Sequence, residues 1–137
     1  MKTNFKIISF TEIEFENEEI DLHNCYDFIS NELEVTNEFI KIHFVIIEEN
    51  TIKKMKYNDL YFLVNNYTYL KQIKPFEEYI EDDSCLSGIT FFDSNLRDEN
   101  YSLVDKEYPN ENDDLIFTFE SERVIRINSK EVILVGK

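Results

Sequence analysis

The strongest constraint on the fold is the alternation of apolar side chains between residues 38 and 48. Over this run, EFIKIHFVIIE, the side chains of Ile40, Ile42, Phe44 and Ile46 occupy every second position. Alternate residues of a β-strand point to opposite faces of a sheet, whereas a helix would spread these four side chains around its axis. The run therefore predicts a strand with one uniformly apolar face turned toward the core.

A second patterned region lies near the end of the sequence. Apolar runs over residues 115–119, 124–128 and 131–135 are separated by short polar breaks. Breaks of about two or three residues have the length of hairpin turns. This spacing predicts a meander of three consecutive strands.

The rest of the sequence extends the β pattern. Further strands are expected over residues 4–10, 53–57, 60–64, 67–73 and 86–92. Asn65-Asn66 is a candidate turn because Asn tolerates a positive φ. Residues 22–33 and 75–80 are ambiguous, and each could form a short helix.

These patterns together favour one mainly β domain over residues 1–137. We expect an antiparallel sandwich or a strongly curved sheet with a C-terminal meander and one or two short helices, with an α+β fold as the alternative. Two Gly and two Pro interrupt the whole sequence, and neither a repeat nor a low-complexity linker is visible.

The composition gives a folded but strongly acidic chain. The formal net charge is −15, yet 42% of residues are hydrophobic and 15% are aromatic, which is too much core material for a disordered acidic tail. No stretch reaches the roughly 20 apolar residues of a membrane span. The first apolar run meets Glu12 too early for a signal peptide. We therefore expect a cytoplasmic protein with reduced thiols and no membrane contact.

The acidic residues are clustered along the sequence. One cluster spans residues 12–21, a second spans residues 77–83 and a third spans residues 107–114. A surface of this sign repels nucleic acid and attracts basic protein surfaces, and it can accelerate association with them. The alternative is that the charge serves solubility alone.

Several classes of enzyme are excluded or unsupported. Gly88 and Gly136 are the only glycines, so the Gly-rich loops of nucleotide-binding enzymes cannot be built. His23 and Cys25 form a His-x-Cys pair, but structural zinc needs four ligands, and His43 and Cys85 are not paired locally. We expect no metal, no cofactor and no catalytic site, with an enzyme using the His23/Cys25 pair as a minor alternative.

Two stretches resemble small bacterial immunity proteins of polymorphic toxin systems. The first is Leu22-His23-Asn24-Cys25, although this chain has Asn24 where the pattern has Asp. The second is the ending LIFTFESERVIRINSKEVILVG, with a strand, a polar turn and two closing strands. The resemblance implies a β-rich cytoplasmic antitoxin, an inhibitor that blocks its cognate toxin by direct contact.

Charge and resemblance together give the first functional hypothesis, an immunity-type protein that binds a basic toxin through carboxylates and a buried aromatic anchor. The expected contact residues are Glu77, Glu78, Tyr79, Glu81, Asp82 and Asp83, with Glu14, Glu16, Glu18 and Glu19 as a second set. The alternative is a phage-type anti-defence protein that imitates DNA with its rows of carboxylates. A homodimer formed through a free strand edge also stays open.

Overall fold

The computed structural model describes residues 1–48 and 54–137, and strands dominate them. The strands are β1 (Lys2–Thr3), β2 (Lys6–Ile7), β3 (Glu12–Phe15), β4 (Glu18–Asp21), β5 (Tyr26–Phe28), β6 (Glu34–Val35), β7 (Phe39–Ile46), β8 (Asp59–Asn65), β9 (Tyr69–Ile73), β10 (Leu86–Asp93), β11 (Asp113–Phe119), β12 (Val124–Asn128) and β13 (Glu131–Gly136). The mainly β fold class is confirmed.

Short 3₁₀ helices account for the helical residues. They span Ser30–Glu32, Glu77–Asp82 and Ser94–Leu96. The first lies within residues 22–33 and the second overlaps residues 75–80, the two segments whose sequence was ambiguous. Within the described ranges, no helix has the length and apolar character needed to cross a membrane.

The strands form three sheets. The largest has the order β1-β13-β8-β7-β5, with β6 paired to β7; the second has the order β10-β11-β12-β9; and the third is β2-β3-β4. Neighbouring strands run antiparallel except for β1 and β13, which are parallel. Strand β9 therefore forms one edge of the second sheet.

The two larger sheets pack face to face through aromatic side chains. Phe44 of β7 and Phe62 of β8 contact Phe117 of β11, with ring centroids 6.4 Å and 5.1 Å apart. Phe28 of β5 contacts Phe119 at 4.5 Å. Full burial of a Phe side chain is worth about 1.5 to 3 kcal/mol, so these rings are a main source of stability. The arrangement is a β sandwich.

The alternation on β7 is confirmed. Ile40, Ile42 and Phe44 are fully buried in the core, and Ile46 is partly buried at the end of the strand. On the opposite face, His43 is also buried: its Nδ1 contacts Glu32 and its Nε2 lies 2.7 Å from Asp59 Oδ1.

The predicted C-terminal meander is correct for only two of its three strands. Strands β11 and β12 form a hairpin, but β13 leaves their sheet and pairs with β8 and β1. The chain passes from the second sheet to the first at buried Ser129, whose Oγ donates to the carbonyls of Asn65 and Glu131. The chain crosses in the other direction between β8 and β9, where Asn66 has a φ of 54°.

The other predicted strands show one error and one partial success. Strands β8, β9 and β10 confirm those expected over residues 60–64, 67–73 and 86–92. The strand expected over residues 53–57 is wrong for residues 54–57, which have no strand structure, and Lys53 lies outside the described residues. Residues 4–10 contain only β2. Before it, the Asn4 side chain makes two hydrogen bonds to the backbone of Leu134, and after it the Ile8 and Ser9 amides donate to the Glu12 carbonyl.

Candidate protein-binding surface and a neighbouring polar cluster

Residues 76–82, which we call the acidic segment, present apolar and acidic side chains together. They contain the second 3₁₀ helix, none of whose residues is buried. Phe76, Tyr79 and Ile80 are 50%, 43% and 53% exposed. Three large apolar side chains exposed within five residues form a patch, and exposed apolar patches often mark sites of interaction.

The two aromatic side chains of the acidic segment pack on one another. The ring centroids of Phe76 and Tyr79 lie 6.2 Å apart, with an angle of 25° between the ring planes. Stacking restricts the motion of both rings while leaving about half of each exposed. Rigid aromatic side chains of this kind lose little conformational entropy when a partner covers them.

The carboxylates of the acidic segment are not neutralised from within the protein. Glu77, Glu78, Glu81 and Asp82 are exposed, and no residue in the described part of the chain forms an ion pair with any of them. Their negative field is thus directed to solvent. Unpaired charges around an apolar centre reproduce the composition of many protein interfaces, in which a polar rim surrounds apolar anchors.

Both ends of the acidic segment are fixed to the sandwich. At its start, the Phe76 amide donates to the Ser121 carbonyl at 2.9 Å. After its end, Asp83 accepts two hydrogen bonds from Arg123 and one from the Ser121 hydroxyl. The segment is therefore held in one conformation before any partner arrives, which lowers the entropic cost of binding.

Asp83 differs from the other residues expected at the contact. Its side chain is buried, and burial alone would raise its pKa, but the hydrogen bonds from Arg123 and Ser121 outweigh burial and lower the pKa below its ordinary value. Asp83 therefore anchors the segment from behind. Sequence alone could not separate it from Glu81 and Asp82, because burial and the Arg123 partner depend on tertiary structure.

The second expected set of carboxylates lies on the hairpin of β3 and β4. Glu14 pairs with Lys6 at 3.3 Å, and Glu16 pairs with Lys56 at 3.7 Å. Glu18 is partly buried, while Glu19 is exposed. Since part of its charge is neutralised within the protein, this hairpin is a weaker candidate surface than the acidic segment.

Two of the four carboxylates in the third acidic cluster are structural. Asp114 is fully buried, and hydrogen bonds from Arg97, Asn128 and Arg126 lower its pKa although burial alone would raise it. Asp113 is also buried and pairs with Lys106 at 2.7 Å. Asp113 and Asp114 thus pair with buried Arg126 and with partly buried Arg97 and Lys106, and they do not face a partner.

A separate polar cluster forms next to the acidic segment. His23 Nδ1 lies 3.3 Å from Cys85 Sγ and 2.7 Å from the Leu86 carbonyl oxygen. A ring nitrogen of His23, Cys85 Sγ and a carboxylate oxygen of Glu120 all lie within 4.8 Å of one another. The sequence indicated His23 and Cys25, but the tertiary structure places Cys85 and Glu120 beside His23.

Backbone hydrogen bonds explain how these distant residues meet. The Phe28 amide donates to the Ser84 carbonyl, which holds residues 84–86 beside β5, and the Glu120 amide donates to the Cys85 carbonyl. Burial, then Glu120 and other nearby carboxylates, raise the pKa of the Cys85 thiol. An activated nucleophilic thiol has a lowered pKa, so this environment does not favour a Cys/His catalytic pair.

Comparison with known proteins adds no relative. No protein-family model, no curated protein and no solved structure matches this chain. The resemblance to immunity proteins therefore stays a prediction.

Proposed function

We propose that this protein is an immunity-type binding protein that docks a basic surface of a toxin through the acidic segment. The observation that carries the proposal is the combination of exposed Phe76, Tyr79 and Ile80 with four carboxylates that no described residue neutralises. Carboxylates accelerate encounter with a basic partner, and central aromatic side chains supply most of the affinity.

The same composition favours a protein partner over imitation of DNA. A DNA mimic needs rows of negative groups that replace phosphates in a basic groove. In the acidic segment, large apolar side chains alternate with the carboxylates, and Phe76 and Tyr79 are stacked on one another. Apolar side chains of this size fit a pocket on a folded protein, which is the usual role of interface anchors.

The proposal is tested by charge reversal with a matched control. In the test variant, Glu77, Glu78 and Glu81 are changed to Lys; in the control variant, exposed Glu38, Glu99 and Glu111 are changed to Lys. Each change adds two charges, so three changes move the formal net charge of both variants from −15 to −9. A difference in association rate between the two variants therefore results from where the charges lie and not from the net charge.

The measurement is the association rate with the purified product of the neighbouring gene, at low and at physiological salt. We expect the test variant to associate about tenfold or more slowly at low salt, and the control variant to stay much closer to the wild type. Equal association rates for the wild type and the test variant would remove the acidic segment from the interface.

A second pair of variants tests the aromatic contribution to affinity, which is measured by the dissociation rate, separately from the effect of charge on the association rate. We expect Tyr79→Ala to dissociate at least about tenfold faster than the wild type, because hot-spot aromatic residues act mainly on the dissociation rate. Tyr108→Ala is the control, since Tyr108 is 59% exposed elsewhere on the surface. DNA mimicry would be favoured instead if double-stranded DNA displaces this protein from its partner and Tyr79→Ala dissociates at the wild-type rate.

A further inference from the structure

His23, Cys85 and Glu120 have the composition of a transition-metal site. An imidazole nitrogen and a thiolate are the ligands that Zn²⁺ prefers, and a carboxylate oxygen commonly completes such a set. Ca²⁺ and Mg²⁺ are disfavoured because they select oxygen ligands alone. The donor set therefore selects a borderline-soft divalent ion.

The geometry of the cluster is close to that of a bound ion. With Zn–N near 2.0 Å and Zn–S near 2.3 Å, neighbouring ligand atoms of a tetrahedral zinc lie roughly 3.3 to 3.6 Å apart. His23 Nδ1 and Cys85 Sγ are already 3.3 Å apart, and Glu120 lies within 4.8 Å of both residues' ligand atoms. Glu120 is exposed, so its side chain can rotate toward the other two ligand atoms.

The orientation of His23 supports the same conclusion. Its Nδ1 faces both Cys85 Sγ, at 3.3 Å, and the Leu86 carbonyl oxygen, at 2.7 Å, so an ion bound at Nδ1 would replace the hydrogen bond to Leu86 while the ring hydrogen moves to Nε2. Asp27, Asp82 and Glu120 also act electrostatically on Cys85 and make its surroundings attractive to a cation.

We propose that His23, Cys85 and Glu120 bind one Zn²⁺ ion, with a fourth position left to water or to an external ligand. On binding, the Cys85 thiol loses its proton to solvent as the sulfur–metal bond forms. The ion connects the turn after β4, the start of β10 and the end of β11. It would thereby fix the chain directly after the acidic segment, independently of whether that segment binds a toxin.

The test uses Zn²⁺ calorimetry and Co²⁺ absorption on the full chain. We expect one Zn²⁺ per chain, release of a proton, and a thiolate-to-cobalt charge-transfer band. Cys85→Ser should abolish the band, whereas the matched variant Cys25→Ser should keep it. Glu120→Gln should weaken Zn²⁺ binding by at least about tenfold, the size of effect that even outer residues of a metal site produce. Glu122→Gln, in the same turn, should not.

Two results would overturn the proposal: a wild-type protein that shows no charge-transfer band, or a band that disappears in Cys25→Ser and persists in Cys85→Ser. If Cys85→Ser does not fold, alkylation of the wild-type thiols decides the matter. Zn²⁺ should protect Cys85 and leave the reactivity of Cys25 unchanged, as measured by peptide mass analysis. Equal protection, or none, contradicts the site.

Discussion

Arg123 holds Asp83 in a two-bond ion pair directly after the acidic segment. Its Nε lies 2.9 Å from Asp83 Oδ1, and its Nη2 lies 2.9 Å from Oδ2. The guanidinium also lies 5.6 Å from the centroid of the core residue Phe28. The pair therefore joins the exposed segment to the interior of the sandwich.

Replacing Asp83 by Asn should destabilise the protein strongly. The change leaves the Arg123 cation partly buried without its counter-charge, and breaking a buried pair in this way costs about 3 kcal/mol. The exposed neighbour provides the control, because Asp82→Asn should change the free energy of unfolding by less than about 0.5 kcal/mol. Urea denaturation at neutral pH measures both. If Asp83→Asn lowers the free energy of unfolding only slightly, the Asp83–Arg123 pair does not anchor the acidic segment.

The effect of Asp83 should depend on pH in a defined direction. Its folded-state pKa is lowered from the ordinary value of 3.8, so near and below that value the unfolded chain takes up the proton first. The contribution to stability is complete above the unfolded pKa and is lost as the pH falls through the folded pKa. The difference between the wild type and Asp83→Asn should therefore shrink in acid. A difference that stays constant in acid contradicts this expectation.

Tyr26 should contribute stability that is lost in alkali. Its hydroxyl donates to the Tyr57 carbonyl at 2.6 Å, and burial, followed by the negative charges of Cys25, Glu18 and Asp59, raises its pKa to about 12. Because the folded pKa is raised, the stability is complete below the unfolded pKa near 10 and falls as the pH rises toward 12.

The test for Tyr26 is the variant Tyr26→Phe, compared with the wild type by denaturation at several pH values. Near neutral pH the variant should be less stable by about 1 to 2 kcal/mol, since the partly buried Tyr57 carbonyl loses its donor. The gap should narrow above pH 10. A gap that widens in alkali would show that the phenol is not protected by the fold.

Gly136 should tolerate no side chain because an aromatic ring covers it. An added Cβ would lie 2.5 Å from Cδ1 and 2.6 Å from Cγ of Tyr57. This ring cannot move freely, since the Tyr57 carbonyl accepts from Tyr26 and its hydroxyl contacts Glu16. We expect Gly136→Ala to lower the free energy of unfolding by about 1 to 3 kcal/mol.

Gly88→Ala is the matched control for Gly136→Ala. An added Cβ at Gly88 would meet Leu103 Cδ2 at 2.7 Å, and this atom is the end of a flexible side chain. Leu103 can rotate away, so Gly88→Ala should lower the free energy of unfolding by less than Gly136→Ala. Thermal or urea unfolding of the two variants makes the comparison. Equal losses would show that Tyr57 adapts as easily as Leu103.

The local sequence pattern predicted much of the secondary structure correctly. It did not predict which strands pair with one another. The alternation on β7 predicted a buried face correctly because side-chain direction follows from backbone geometry alone. The apolar run of β13 predicted a strand, but not that it joins β8 and β1. Either sheet would bury the same face of β13, so its own pattern contains no information on the choice.

The candidate surfaces divide in the same way. The acidic character of residues 76–82 and the presence of Tyr79 among them could be read directly from the sequence. The stacking of Phe76 on Tyr79 and the burial of Asp83 could not, because both need contacts set by the fold. The contact between Cys85 and His23 could not be predicted either, because the two residues are 62 positions apart in the sequence.

The sequence by itself determined the strand-rich character of this protein, its negative charge and the identity of most core side chains. These properties depend on composition and on a period of two, which act over a few neighbouring residues. Only the tertiary structure decided which carboxylates face solvent, which are bound by arginine and which ligand atoms meet around His23. Those outcomes require residues far apart in the chain to share one small volume, and no local pattern specifies that.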